Sequence, residues 1–204
     1  MMMENLVSSF IVLWAAIDPV GTVPVFIAVT KNYSDSEKKK IAYYATAFAF
    51  AVLLFFLIMG QLILDKMGVP LPAFQISGGI ILFLFALDMI FGDSKPESEI
   101  ALAKSGKETA IFPLAMPSIA GPGAILAVVL LTDNSRHSFQ SQAITASVMT
   151  FVLFVNLVIM RASTWISKVI GVTGAILISK IMGLILASIA ATNILLGIKD
   201  FFKI

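Results

Sequence analysis

Six apolar stretches, 21 to 25 residues long, take up most of this 204-residue chain, near 6–30, 41–64, 70–91, 111–132, 141–161 and 174–198. A helix rises about 1.5 Å per residue, so about 20 such residues cross the roughly 30 Å hydrocarbon core of a bilayer. Inside lipid the backbone has no water to bond, and a helix satisfies its polar groups within the segment. The expected fold is therefore an all-α polytopic membrane protein of six transmembrane helices. Composition agrees: 59% of residues are hydrophobic and 13% charged, where soluble domains average about half and about a quarter.

The remaining charge bounds the partners. A net charge of +2 spread over the loops points to no nucleic acid; the implied partners are the lipid bilayer and a small solute. The absence of cysteine excludes disulfides, thiolate metal sites and cysteine nucleophiles. Met1-Met2-Met3-Glu4-Asn5 lacks the basic start of a signal peptide, so the first stretch is expected to remain as a span. Loops after odd-numbered spans hold Lys31, Lys38, Lys39, Lys40, Lys95, Lys104, Lys107, Arg161 and Lys168, against Lys66, Arg136, Lys199 and Lys203 on the other side. Cytoplasmic loops are enriched in Lys and Arg. Both termini are thus expected outside a cytoplasmic (inner) cell membrane, with Tyr43, Tyr44 and Trp165 at the cytoplasmic interface.

Two spans are broken. The first contains Asp18-Pro19-Val20-Gly21-Thr22-Val23-Pro24 and the fourth Ile119-Ala120-Gly121-Pro122-Gly123-Ala124, with Ala120 lying 102 positions after Asp18. Proline removes a backbone donor and clashes with the preceding turn, and glycine costs about 1 kcal/mol in a helix interior. Breaks at membrane depth are tolerated where the loose backbone lines a cavity, which is how many transporters build a site. The alternative is that the prolines only kink helices and the glycines allow close packing.

Other features recur at similar spacing. Lys66-Met67-Gly68-Val69 is echoed by Lys168-Val169-Ile170-Gly171-Val172, Ile76-Ser77 by Ile178-Ser179, and Asp88-Met89-Ile90-Phe91-Gly92 by Asn193-Ile194-Leu195-Leu196-Gly197. This ordering suggests two three-helix repeats, 1–92 and 111–204, joined by a polar cytoplasmic linker at 93–110 within one membrane domain. Repeats with an odd number of spans insert in opposite orientations, giving a 3+3 inverted repeat with broken helices 1 and 4 meeting near the midplane.

Asp18 is the residue most exposed to functional demand. A carboxylate at that depth costs about 2.5–3.5 kcal/mol on insertion scales and commonly marks an ion or substrate pathway. It could equally cap the half-helix that follows. Half-helices starting near Gly21-Thr22 and Gly123-Ala124 would aim N–H groups at the midplane, suiting a carboxylate, while the carbonyls before each break suit a cation. A small zwitterionic solute fits between them. The candidate substrate-binding residues are Gly21, Thr22, Ser118, Gly121, Gly123, Ala124, Asn156 and Asn193, and Asp18 is the candidate cation- or proton-coupling residue. Thr22, Ser118, Asn156, Thr192 and Asn193 could instead be interhelical glue. Asp88 is expected at a solvated interface, and Lys180 is expected to reach the cytoplasmic surface. An enzyme is not expected: His137 stands beside Arg136 in a short loop with no triad or metal cluster, and Asp18 and Asp88 make no protease pair. No cofactor is implied beyond Na⁺ or H⁺ as coupling ion.

In both broken segments, and in Lys180-Ile181-Met182-Gly183-Leu184-Ile185-Leu186-Ala187 running on to Gly197-Ile198, the chain resembles the MarC family of six-span membrane proteins. The likeness covers essentially its whole length, and the family is distantly similar to LysE-type exporters. It implies site roles for Asp18, Gly21, Gly121 and Gly123. It also implies cation-coupled secondary transport of small neutral amino acids such as glycine and alanine. An exporter of amino acids or other small solutes on the same scaffold, or a non-transporting membrane scaffold, are the alternatives. The two breaks differ in one respect: Ala120 stands where Asp18 would be, so ion coupling is expected to rest on the first.

Overall fold

The computed structural model describes residues 2–92, 110–133 and 138–203, and its regular structure there is helical. The expected linker therefore lies outside the described residues except for Ala110, as do Arg136 and His137. The elements are α1 (Met2–Ile17), α2 (Thr22–Val29), α3 (Asp35–Lys66), α4 (Leu71–Phe91), α5 (Ala110–Ile119), α6 (Pro122–Leu131), α7 (Phe139–Arg161) and α8 (Ser163–Phe202).

Five candidate spans are long and apolar enough to cross a membrane, and the bent pair α5–α6, angled by 47°, makes a sixth. The broken first span, Asn5–Val29, is 67% buried over its most apolar window, whereas α3 is only 17% buried. Span one therefore occupies the middle of the molecule. The other faces carry exposed Phe48, Phe55, Leu84, Phe151 and Phe154, apolar surface that suits lipid rather than water.

Local sequence sets the starts and stops. Ser34 caps α3 through a reciprocal box: Glu37 N–H donates to Ser34 Oγ at 3.4 Å and Ser34 N–H donates to Glu37 Oε2 at 2.8 Å, satisfying two end donors at once. Ser138 caps α7 by a single bond, accepting from Ser141 N–H at 3.3 Å. Thr30 and Thr132, at the ends of α2 and α6, each return a hydroxyl to the carbonyl four residues back, Phe26 and Val128. Gly68 (φ 66°) and Gly171 (φ 72°, ψ 167°) both take positive φ, which costs a side-chain-bearing residue about 1–3 kcal/mol. The second separates the opening turns of α8 from the candidate span that begins at Ile176.

Packing runs mainly between the two halves of the chain. The most extensive pairing is α4 with α8; α1 packs on α7 and α3 on α5 and α6, while α2 packs on α8 and α4 on α6. Small residues let these backbones approach: Ala42, Ala45, Ala49, Ala115, Ala120 and Ala124 are all buried. At the α4–α8 seam, a Cβ on Gly197 would lie 3.0 Å from the Pro72 carbonyl oxygen and one on Gly183 would lie 3.2 Å from that of Ala86. Association inside lipid rests on such close contact, because burying apolar surface there gains little.

Candidate functional site

The first break is a compact turn built on Asp18. Pro19 disfavours the right-handed helical region for the residue before it, and Asp18 adopts φ 48°, a left-handed conformation that Asp tolerates better than most residues. Its side chain closes the turn: Oδ1 accepts the Gly21 N–H at 3.0 Å, and Oδ2 accepts the Ser179 hydroxyl of α8 at 2.8 Å. Thr22 donates both its N–H (3.1 Å) and its hydroxyl (3.0 Å) to the Asp18 carbonyl, and Val23 N–H bonds Val20. Asp18 is 1% exposed. Hydrogen bonds to a charged group contribute about 1.5–3 kcal/mol each, so two donors offset much of the insertion penalty of a carboxylate.

These bonds revise one expectation. The amides of Gly21, Thr22 and Val23 are engaged inside the turn, and Pro24 has none. The start of α2 therefore offers no ready seat for a second carboxylate; Asp18 fills it. Gly21 is also packed shut, since a Cβ there would fall 2.0 Å from Asp18 Oδ2 and 2.2 Å from Ser179 Oγ.

The second break is wider than the sequence suggests. A regular half-helix ending at Ser118-Ile119 is not present: Phe112 (φ −121°, ψ 126°) and Met116 (φ −134°, ψ 130°) are extended. Each directly precedes a proline, which pushes it out of the helical region. Ala120 N–H reaches back five residues to Ala115 at 2.9 Å. After it, α6 opens at Pro122 with no side-chain cap at Gly121. By position, the Gly123 and Ala124 amides have no carbonyl within their own helix to bond. The donor-rich end thus belongs to the second break, and the carboxylate to the first.

A cavity of about 180 Å³ lies between spans one, three, four and six. It reaches Ala16 beside the first break and Leu126 in the first turn of α6, and has Ser8 and Asn193 as polar lining. Leu82 stands between it and the second break, its Cδ1 being 2.5 Å from where a Cβ on Gly123 would sit. Asn193 is half-buried and accepts from Gln75 Nε2 at 3.4 Å, while Gln75 Oε1 is buried without a partner.

The expected residues fall into separate groups. Asp18, Gly21 and Thr22 form one cluster; Gly121, Gly123 and Ala124 form the second, with buried Ser118 just before it. Asn193 joins the cavity. Asn156, on α7, is fully buried with neither side-chain polar atom hydrogen-bonded. Thr192 is exposed and bonds back to Ser188. Asp88 is exposed as expected, and Lys180 donates to the Ile90 and Gly92 carbonyls at the end of α4. Two participants were not singled out from sequence, Ser179 and Gln75. The signal for both was a polar side chain within an apolar span.

Among the described residues no three His, Asp or Glu side chains gather as metal ligands. A cation at Asp18 would draw its remaining oxygens from Ser179, Thr22 and backbone carbonyls.

No solved structure matches the chain. Its sequence does have relatives. It is 36% identical over 201 residues to a UPF0056 membrane protein of Aquifex aeolicus, covering 97% of this chain and 94% of that one. It is 32% identical to UPF0056 membrane protein MJ1677 of Methanocaldococcus jannaschii, covering 97% of each. UPF0056 membrane protein YvbG of Bacillus subtilis is 31% identical, with 100% of this chain and 99% of that one covered. The family model for MarC family integral membrane proteins matches residues 3–202. The chain belongs to the MarC family of multi-pass integral membrane proteins.

Proposed function

We propose that this protein is a cation-coupled secondary transporter of small neutral amino acids, not an enzyme, and that it works in the cytoplasmic membrane with both termini outside. The observation that carries the reading is the cavity between the two halves, which runs from Ser8 and Asn193 to Ala16 and Leu126 beside the two breaks. In this reading the solute's carboxylate binds the Gly123 and Ala124 amides at the start of α6. Asp18 holds the coupling ion, Na⁺ or H⁺, or the solute's ammonium group, once the Ser179 hydroxyl rotates its proton off the carboxylate and turns its oxygen to the guest. Leu82 has to swing aside for the cavity to reach the α6 amides.

An inverted 3+3 repeat would provide the motion, one repeat rocking against the other. Three observations favour it. Two of the pairings exchange under a swap of spans one and four, two and five, three and six: α1 on α7 is matched by α3 on α5, and α2 on α8 by α4 on α6. Gly68 and Gly171 both take positive φ. Thr30 and Thr132 end the two second half-helices with the same hydroxyl-to-carbonyl bond.

A non-transporting scaffold is favoured by one specific fact, the tight packing of Asp18 against Gly21 and Ser179. The discriminating experiment is uptake of labelled glycine, alanine and serine by proteoliposomes under imposed Na⁺ or H⁺ gradients, for the wild type and Asp18→Asn. Gradient-dependent uptake abolished by Asp18→Asn is expected. A folded preparation that moves none of the three in either direction overturns the amino-acid reading, and outward movement alone identifies an exporter.

A further inference from the structure

At the opposite end of span one from that cavity lies a pocket of about 310 Å³, lined by Thr30, Lys31, Lys38, Ser163, Thr164 and Lys168 together with Ile27. Three chain segments meet there: the end of α2, the start of α3 and the first turns of α8. None of these lining residues is acidic. Asp35 reaches Lys38 at 3.8 Å, but its side chain is 94% exposed, and an exposed pair of this kind contributes about 0–1 kcal/mol. Among the described residues, three lysines and no acidic side chain therefore line one concavity.

The polar groups between them suit an oxyanion. Thr30 and Ser163 are almost fully buried, so they present hydroxyls at the pocket wall, not in bulk solvent. The Thr30 hydroxyl is committed as a donor to Phe26. Ser163 and Thr164 begin α8 directly after Ala162, which also ends α7, so the opposed helix ends largely cancel and recognition falls to the side chains. Lysine ammoniums and a hydroxyl together match a phosphate group better than a carboxylate, which has fewer acceptor oxygens to share among three cations.

The depth of the pocket fits the membrane interface. Trp165 is 67% exposed beside Thr164, and Tyr43 and Tyr44, one to two turns beyond Lys38, are 63% and 62% exposed. Amphipathic rings gather where headgroups lie, and basic pockets between spans bind anionic headgroups. We propose that this pocket binds a phosphate-bearing anion, tying the end of α2 to the starts of α3 and α8. The phosphate comes either from an anionic phospholipid headgroup or from a free phosphate ion.

The test uses the purified full-length protein in detergent. Native mass spectrometry and thermal unfolding are followed with phosphatidylglycerol, with phosphatidylcholine, and with inorganic phosphate alone. Phosphatidylglycerol retention and stabilisation beyond phosphatidylcholine identify the lipid source, and stabilisation by phosphate alone, competing with lipid, identifies the free ion. Each lysine near an anionic surface contributes about 1 kcal/mol, about fivefold in affinity. Lys38→Gln with Lys168→Gln should therefore weaken binding roughly 25-fold, while arginine at both positions should retain it. Lys39→Gln with Lys40→Gln removes the same charge outside the pocket and should cost far less. Equal loss from the two pairs, or no preference for either phosphate source over phosphatidylcholine, overturns the proposal. If the glutamine pair fails to fold, retention of phosphate by the arginine pair against loss in Ser163→Ala decides it.

Discussion

Asp18 and Ser179 lie 161 positions apart yet share the 2.8 Å bond that closes the first break. Removing the hydroxyl leaves one carboxyl oxygen without its donor. Ser179→Ala is expected to cost about 1.5–3 kcal/mol if the group is charged, measurable as a lower midpoint of thermal unfolding in detergent. Asn156 makes the opposite prediction. With both side-chain polar atoms buried and unpartnered, it carries a desolvation penalty of about 1–3 kcal/mol. Asn156→Leu should raise the unfolding midpoint, and solute uptake by the same variant tests the place of Asn156 among the candidate binding residues. A variant that is both less stable and fully active would remove Asn156 from the site. Asp18 stood out in sequence because a carboxylate in a run of apolar residues breaks a strong rule. Ser179 did not, since serine is cheap at a helix interface and its partner depends on how span six docks.

The helices themselves were largely legible, and where they were not the cause is local. The bounds of all six expected spans lie within about six residues of the observed candidate spans, the fourth as a bent pair, because length and apolarity decide insertion. Span four departs: a proline after Phe112 and another after Met116 force extended backbone at both residues, so the break spreads along α5 instead of sitting at Gly121-Pro122-Gly123. Both prolines were in plain view, but their combined effect depends on neighbours that keep the extended segment buried, Leu114 and Ala115 among them. The α4–α8 seam has a complementary vulnerability. Gly197 faces the Pro72 carbonyl and Ile76, and a branched side chain there must push two backbones apart. Gly197→Val is expected to destabilise by about 1–3 kcal/mol, the usual range for overpacking, seen as early aggregation on heated size-exclusion chromatography. Gly68→Ala should cost only about 1–2 kcal/mol, through its positive φ alone, because nothing lies within 4 Å of the added carbon.

The absence of cysteine makes orientation directly measurable. Single cysteines at Lys38 and at Lys199 should react with a membrane-impermeant maleimide from opposite sides, Lys199→Cys in intact cells and Lys38→Cys only after permeabilisation. The reverse pattern would invert the proposed topology, and labelling of both from one side would break the odd-span arrangement. Hydropathy and loop charge reach this far because insertion reads them segment by segment, before any two helices meet. The same is true of the presence of the two breaks, which proline and glycine impose on their own backbones, though not of how far the second one spreads. Docking acts later and through different forces. Which break keeps free donors follows from Asp18 folding back onto Gly21 while Gly121 has no such side chain. That Ser179 completes the turn, that Gln75 meets Asn193, and that Lys31, Lys38 and Lys168 border one pocket all require segments far apart in the chain to pack together. Apolar spans match one another almost equally well, so close contact between small residues, not hydropathy, selects the partners.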